Sequence, residues 1–242
     1  MIARTVETYC IRPDYIPNRT PLTVDEISGN EYWDARRVDE AKYYQFTAYR
    51  RAAILMRREA LQTLVDVGCG VGIKLEWIHR QLPLVRIIGI DQPRAIEFCR
   101  EHYAFGEWFV DDFENSHTQP KEIQGDLVLC VDVIEHVIDP DRLLQYLREC
   151  VRPDGWILIS TPERDLVRGR DCLCSPNPAH IREWTKTEFH SYLCSRGFRI
   201  VEHHLDPPVR LGLNRFALRE AMGALLRGRS LRYNQVCLVK AA

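Results

Sequence analysis

The run Thr63-Leu-Val-Asp-Val-Gly-Cys-Gly-Val-Gly72 constrains this chain more than any other stretch. An apolar strand ends in an acid, three glycines follow at alternate positions, and an amphipathic run from Ile73 to Gln81 begins at once. A backbone that leaves a buried strand and enters a helix within a few residues needs positive φ and room for a ligand to approach. The helix that follows presents unpaired N–H groups and the positive end of its dipole. A second apolar run, Val85-Arg-Ile-Ile-Gly-Ile-Asp91, closes on an acid where α/β folds bind ribose hydroxyls. Together the two runs point to a nucleoside-binding α/β domain.

Short Val/Ile/Leu-rich runs near 63–68, 85–91, 107–111, 126–132 and 156–161 alternate with helical patterns near 72–81, 93–103 and 139–151. Asp139-Pro140 announces the last of these helices and Pro153-Asp-Gly155 closes it. This alternation predicts a doubly wound, mostly parallel sheet covered on both faces. Thr185, with Glu188 three residues on, predicts a capping box opening a helix that stops at Gly197. A strand near 198–205, a helix near 213–227 and a strand near 233–240 complete the pattern. Before the glycine turn, Tyr43, Phe46, Tyr49, Ala53, Met56 and Ala60 predict one helix over 39–61. It follows an irregular arm that holds Pro13, Pro17 and Pro21 among Tyr9, Tyr15, Tyr32 and Trp33. A chain of 242 residues, 45% hydrophobic, suits one domain. Residues 1–61 are expected as arm and lid helix, 62–162 as cofactor-binding core, and 163–242 as acceptor-side loop, helices and closing strands.

The net charge of −1 gives no global field toward nucleic acid or an anionic membrane. From Pro207 to Arg232, however, six arginines stand against Glu220 alone, as a solvated helical face or a contact for an anionic acceptor. No apolar run is long enough to span a bilayer, and Met1-Ile-Ala-Arg-Thr-Val-Glu contains no signal-peptide core. With nine cysteines that read as reduced thiols, a cytoplasmic protein is expected. Cys172, Cys174 and His180 form a weak metal alternative, because C-x-x-C pairs are missing.

Asp66-x-Gly-x-Gly-x-Gly72 departs from the G-x-G-x-x-G of dinucleotide enzymes and resembles motif I of the class I S-adenosylmethionine (SAM) methyltransferases. The resemblance implies SAM as cofactor, a Rossmann-like fold and an antiparallel last strand. Ligands in such sheets bind outside the carboxyl ends of the strands. The implied cofactor residues are therefore Asp66, Gly68, Cys69, Gly70, Gly72, Asp91 and Gln92, with Asp112 and Phe113 near the adenine. A register error of one would make the acid Asp111. Cys130-Val-Asp-Val-Ile-Glu-His136, then Asp139-Pro140, resembles the branch containing the ubiquinone-biosynthesis O-methyltransferases. That match places the main chain at Asp132 and Val133 beside the cofactor and Glu135-His136 on the acceptor side. It extends over roughly Leu64 to Phe198, and the whole chain is similar to bacterial class I enzymes associated with glycans or natural products. His180, in Pro176-Asn-Pro-Ala-His-Ile-Arg-Glu-Trp184, falls in the loop where this fold mounts its acceptor cap. Histidine is the usual general base near neutral pH, so His136 and His180 are the catalytic candidates, with Glu135 beside them. The expected reaction is methyl transfer to an oxygen of a small molecule: a sugar, a natural-product hydroxyl or a carboxylate. Tyr43, Tyr44 and Gln45 are lid candidates.

Asp132-x-x-Glu135-His136, with His180 and Glu183-Trp-Thr185, also resembles the metal site of the small-RNA 3′-end 2′-O-methyltransferases, with Asp132 in place of the first Glu. Two carboxylates and two imidazoles suit Mg²⁺ or Mn²⁺, although the near-neutral charge argues against RNA. The SAM-dependent enzyme without a metal is the leading expectation. A non-catalytic SAM-binding subunit and a nicotinamide oxidoreductase are the readings from other classes.

Overall fold

The computed structural model describes residues 9–18, 35–115 and 123–241. Its centre is a seven-stranded sheet in the order β3-β2-β1-β4-β5-β7-β6. The strands are β1 (Thr63–Val67), β2 (Arg86–Asp91), β3 (Glu107–Val110), β4 (Gly125–Val131), β5 (Val151–Pro162), β6 (Phe198–Asp206) and β7 (Asn234–Ala241). The pairs from β3 to β5 are parallel, whereas β7 is antiparallel to both β5 and β6. The expected doubly wound sheet with an antiparallel last strand is therefore present, with β7 inserted between its neighbours.

The period-2 alternation of β1 distributes its side chains between two cores. Val65 and Val67 join a cluster with Leu143, Leu147, Trp184 and Tyr192. Leu64 points the other way, toward Tyr49, Met56, Leu75 and Ile78. Each such fully buried aliphatic side chain contributes about 1.5–3 kcal/mol, so both faces hold the sheet.

Eight helices follow in chain order among the described residues: α1 (Ala35–Ala41), α2 (Phe46–Arg58), α3 (Ile73–Gln81), α4 (Pro93–His102), α5 (Pro140–Cys150), α6 (Arg164–Arg168), α7 (Lys186–Ser195) and α8 (Arg215–Arg227). The helix expected over 39–61 is split in two. Gln45 adopts a left-handed conformation (φ 56°), and Tyr44 forms an antiparallel bridge with Val209. A contact 165 residues away thus overrides the local periodicity. β5 begins at Val151, five residues earlier than expected, because Val151 pairs with Gly125 across a bulge. Asp139 caps α5 by accepting from the Asp141 N–H at 3.0 Å. The expected capping box on α7 is complete, with Thr185 and Glu188 exchanging hydrogen bonds at 3.2 and 2.8 Å. Pro21, Tyr32 and Trp33 of the expected arm, and the first eight residues, lie outside the described residues.

Candidate active site

β1 and β4 are adjacent, and their connections run to opposite sides of the sheet, so a crevice opens between their carboxyl ends. A cavity of about 1060 Å³ occupies it. Of the expected cofactor residues, Gly68, Cys69, Gly70, Asp91, Gln92, Asp112, Phe113, Asp132 and Val133 line this cavity. Asp66 and Gly72 stand behind the wall instead. Gly72 is the left-handed N-cap of α3 (φ 68°), and Asp66 is fully buried.

Gly68 sits at φ 85°, and a Cβ there would lie 2.3 Å from Val133 Cγ2. The turn after β1 and the turn after β4 therefore touch only because position 68 has no side chain. Asp91 fixes the loop by accepting the Gly70 N–H and the Gln92 N–H, each at 2.7 Å. Burial raises its pKa and these two donors pull it back. Each oxygen retains lone-pair capacity toward the cavity. At the end of β3, Asp111 is buried and accepts from Tyr146 Oη and from the Asp112 N–H, both at 2.9 Å. Asp112 is exposed, and its carboxylate accepts the N–H groups of Glu114 and Asn115 at 2.9 and 3.3 Å. Both acids reach the cavity wall.

Sequence reasoning passed over Lys74. Its ammonium lines the cavity, donates to the Ala41 carbonyl at 3.3 Å and Gln45 Oε1 at 3.5 Å, and lies 5.2 Å from the Tyr49 ring centre. Burial lowers its pKa while Asp66 raises it. Lys74 makes no ion pair among the described residues. The sequence signal was its place in the first turn of the helix that follows the glycines. Of the lid candidates, Tyr44 and Gln45 line the cavity, whereas Tyr43 packs on Phe216 at 4.9 Å.

At the other end, Glu135, His136 and His180 converge, with one ligand atom of each within 4.8 Å of the others. His136 Nδ1 lies 2.7 Å from the Ala179 carbonyl, and His180 Nδ1 lies 2.6 Å from Glu183 Oε1. A carbonyl and a carboxylate only accept, so each histidine carries a proton on Nδ1 and turns its Nε2 away from that partner. Glu135 Oε2 accepts from Thr161 Oγ1 at 2.9 Å, whereas its buried Oε1 makes no hydrogen bond among the described residues and lies 4.0 Å from His136 Nε2. Burial pushes Glu135 well above the usual carboxylate range. Burial and the neighbouring His180 lower His136 to about 4. Glu183 is held down to about 2 against the cost of burial, by His180 and Arg168.

Asp132, fourth in the metal-site resemblance, stands apart from this cluster. It takes a left-handed conformation (φ 54°) and accepts from Ser160 Oγ and, at 3.2 Å, from Asn234 Nδ2. The Cys172–Cys174–His180 alternative is not assembled among the described residues either. Cys172 Sγ bonds to the Cys174 carbonyl, Cys174 Sγ to Asn18 Oδ1, and His180 turns to Glu183.

The arm pins the His180 loop. Asn18 Nδ2 donates toward the carbonyls of His180, Asn177 and Ser175 at 2.7–3.2 Å. Tyr15 Oη accepts the Glu183 N–H at 3.1 Å, and Trp184 Nε1 donates to the Tyr9 carbonyl at 3.0 Å. Arg182 donates to the carbonyls of Val137 and Ile138 at 2.9 and 2.8 Å, tying the loop to the segment after His136.

A profile described as a methyltransferase domain matches residues 38–203. The ubiquinone biosynthesis O-methyltransferase of Haemophilus ducreyi is 31% identical over 137 residues, 51% of this chain and 57% of that protein. The mitochondrial protein of the same name from Dictyostelium discoideum is 32% identical over 111 residues, 40% of this chain and 34% of that one. The chain thus spans about half the length of the curated relatives it matches. Two solved structures share the fold. The plantazolicin methyltransferase BpumL, in complex with a desmethylPZN analog and SAH, has a TM-score of 0.61 at 18% identity, over 90% of this chain and 91% of that one. Human N-acetylserotonin methyltransferase in complex with SAM has a TM-score of 0.52 at 17% identity, over 81% and 50% of the two chains. The profile match over more than half of the sequence, laid on a sheet of this topology, shows that the chain belongs to the methyltransferase domain family.

Proposed function

We propose that the chain binds SAM in the half of the cavity formed by Gly68–Gly70, Asp91, Gln92 and Asp111–Phe113. The methyl group then passes to an oxygen of a small-molecule acceptor held against Glu135, His136 and His180. The observation that carries this reading is the charge of the lining. Asp91, Asp111, Asp112, Glu114 and Asp132 face the cavity, against Lys74 and Arg168, and Arg168 is paired to Glu183 at 2.8 Å. A cationic sulfonium suits such a wall, whereas the two phosphates of a nicotinamide dinucleotide do not. Lys74, a lining cation without an ion pair among the described residues, suits the α-carboxylate of SAM.

SAM supplies the electrophilic methyl group; the protein aligns the acceptor and manages its proton. A base near pKa 4 is a poor acceptor for a hydroxyl proton at neutral pH. His180, oriented by Glu183, is therefore the proposed proton acceptor, and His136 and Glu135 orient the substrate. The chain's division follows: 62–162 serves the cofactor, while the arm, the 163–242 segment and Tyr44–Gln45 enclose the acceptor. The names of the O-methyltransferase relatives support oxygen as the atom methylated.

A divalent cation is the second reading, favoured by the orphaned Glu135 Oε1 and by two Nε2 atoms whose Nδ1 partners fix them. Glu135, His136 and His180 would hold it, and it would act as a Lewis acid that lowers the pKa of an acceptor hydroxyl. Calorimetry with SAM and NAD tests the primary reading. It predicts binding of SAM alone, and NAD binding without SAM binding would overturn it. Full activity after chelation removes the metal reading, whereas loss restored by Mn²⁺ supports it.

A further inference from the structure

Helix α8 is turned inside out. Its core side carries Phe216, the small residues Ala217, Gly223 and Ala224, and Glu220, which accepts from Tyr44 Oη at 2.9 Å and Tyr233 Oη at 2.7 Å. Its large apolar residues face out. Leu218, Met222, Leu225 and Leu226 are 54–83% exposed and follow one another at helical spacing, forming one stripe. Leu211 and Leu213, just ahead of the helix in the chain, are exposed as well. Six of the fourteen exposed large apolar side chains of the described residues thus fall between 211 and 226, so this is a patch rather than scatter.

The exposed charges that this segment itself presents around the patch have one sign. Arg210, Arg215, Arg219, Arg229 and Arg232 are all exposed, and Glu220, the only acid between 207 and 232, is turned inward. Arg215 meets Asp39 of α1, and Arg219 meets Tyr44 Oη. A second copy docked on this face by a two-fold axis would press arginines against arginines. A stripe of leucines flanked by arginines is instead the pattern of a helix that lies in the plane of an anionic bilayer. Among the described residues no helix is long and apolar enough to cross a membrane, so contact would be peripheral.

We propose that α8 and the preceding Leu211–Leu213 segment form a docking surface for an anionic lipid bilayer. The surface is coupled to the cavity. Tyr44 and Tyr233 line it and bond to Glu220, and Arg229 donates to the carbonyl of Val167, another lining residue. Docking therefore loads the acceptor-side wall directly.

Co-sedimentation of the full chain with phosphatidylcholine vesicles, with and without phosphatidylglycerol, tests the proposal. Binding is expected to be at least about tenfold stronger to the anionic vesicles, since each basic residue near the surface adds roughly fivefold. It should weaken at ~1 M salt, where the Debye length is about 3 Å. A variant with Leu218→Ser, Leu225→Ser and Leu226→Ser, all outward-facing, should keep the wild-type melting temperature and lose binding by roughly tenfold or more. Arg215→Gln with Arg219→Gln should lose the preference for anionic vesicles. Equal binding to both vesicle types, or undiminished binding by the leucine variant, overturns the proposal. So does absence of vesicle binding, including the case in which the chain dimerises through this face and the leucine variant is monomeric.

Discussion

Consider Asp66→Asn in the ligand-free protein. Asp66 is fully buried, accepts from Tyr49 Oη at 2.8 Å through Oδ2, and leaves Oδ1 without a partner among the described residues. Burial raises its pKa from 3.8 to about 7, against the opposing pull of Tyr49 and Lys74. A carboxyl whose folded pKa is raised contributes stability that is fully present below about pH 4 and is lost as pH rises through about 7. The difference of about 3 units corresponds to about 4 kcal/mol at 1.36 kcal/mol per unit. Asparagine is neutral throughout and still accepts from Tyr49. Its amide, placed where Oδ1 has no partner, costs about 1–2 kcal/mol. The variant should therefore be less stable than wild type near pH 4 and more stable by roughly 2 kcal/mol near pH 8. Between about pH 5 and pH 7 the difference should change by about 1.4 kcal/mol per unit. Urea unfolding across this range measures it directly. A difference that does not vary with pH would refute the reasoning, because Asp66 would then carry no buried-charge penalty. The same variant should bind SAM more weakly by roughly tenfold, about 1.4 kcal/mol, having lost a carboxylate behind the cofactor wall.

Lys74→Met keeps the length of the side chain and removes its cation from the lining. SAM affinity by calorimetry should fall by about 10- to 100-fold, and an unchanged affinity would place the SAM carboxylate elsewhere. Asn18→Ala removes the donor that ties three carbonyls of the His180 loop to the arm. Turnover should fall by roughly tenfold with SAM affinity nearly unchanged, since the proposed arrangement gives this loop to the acceptor alone. Equal losses in both would mean that the arm supports the whole cavity.

The glycine turn, the strand-end acids and the two histidines were legible because local chemistry dictates each of them. Positive φ at 68, 70 and 72 and a carboxylate closing β2 are requirements that short motifs carry, and both imidazoles fall in recognisable local segments. What remained hidden depends on distant partners. The break at Gln45 follows from the bridge between Tyr44 and Val209. The early start of β5 follows from pairing with Gly125, while Pro153-Asp-Gly155 reads locally as a turn. The separation of Asp132 from Glu135 and His136 is set by Ser160 and Asn234, on strands β5 and β7. The proton positions on the histidines depend on Ala179 and Glu183, which no spacing rule connects to them. Lys74 was missed because a lysine in a first helical turn reads as a solvated charge until burial shows otherwise. The net charge of −1 likewise conceals an arginine-flanked apolar patch, because opposite charges elsewhere cancel it.

The central claim is that one cavity holds SAM at the glycine turn and delivers its methyl group to an oxygen beside His180. Its most direct test is transfer from methyl-labelled SAM to sugar, phenol, carboxylate and RNA acceptors, with the product's labelled atom identified. The account predicts label on an oxygen of a small-molecule acceptor. With a hydroxyl acceptor, His180→Ala should bind SAM as wild type does and transfer about 10²–10⁴-fold more slowly. Label confined to RNA, or an undiminished rate in the His180 variant, would contradict it.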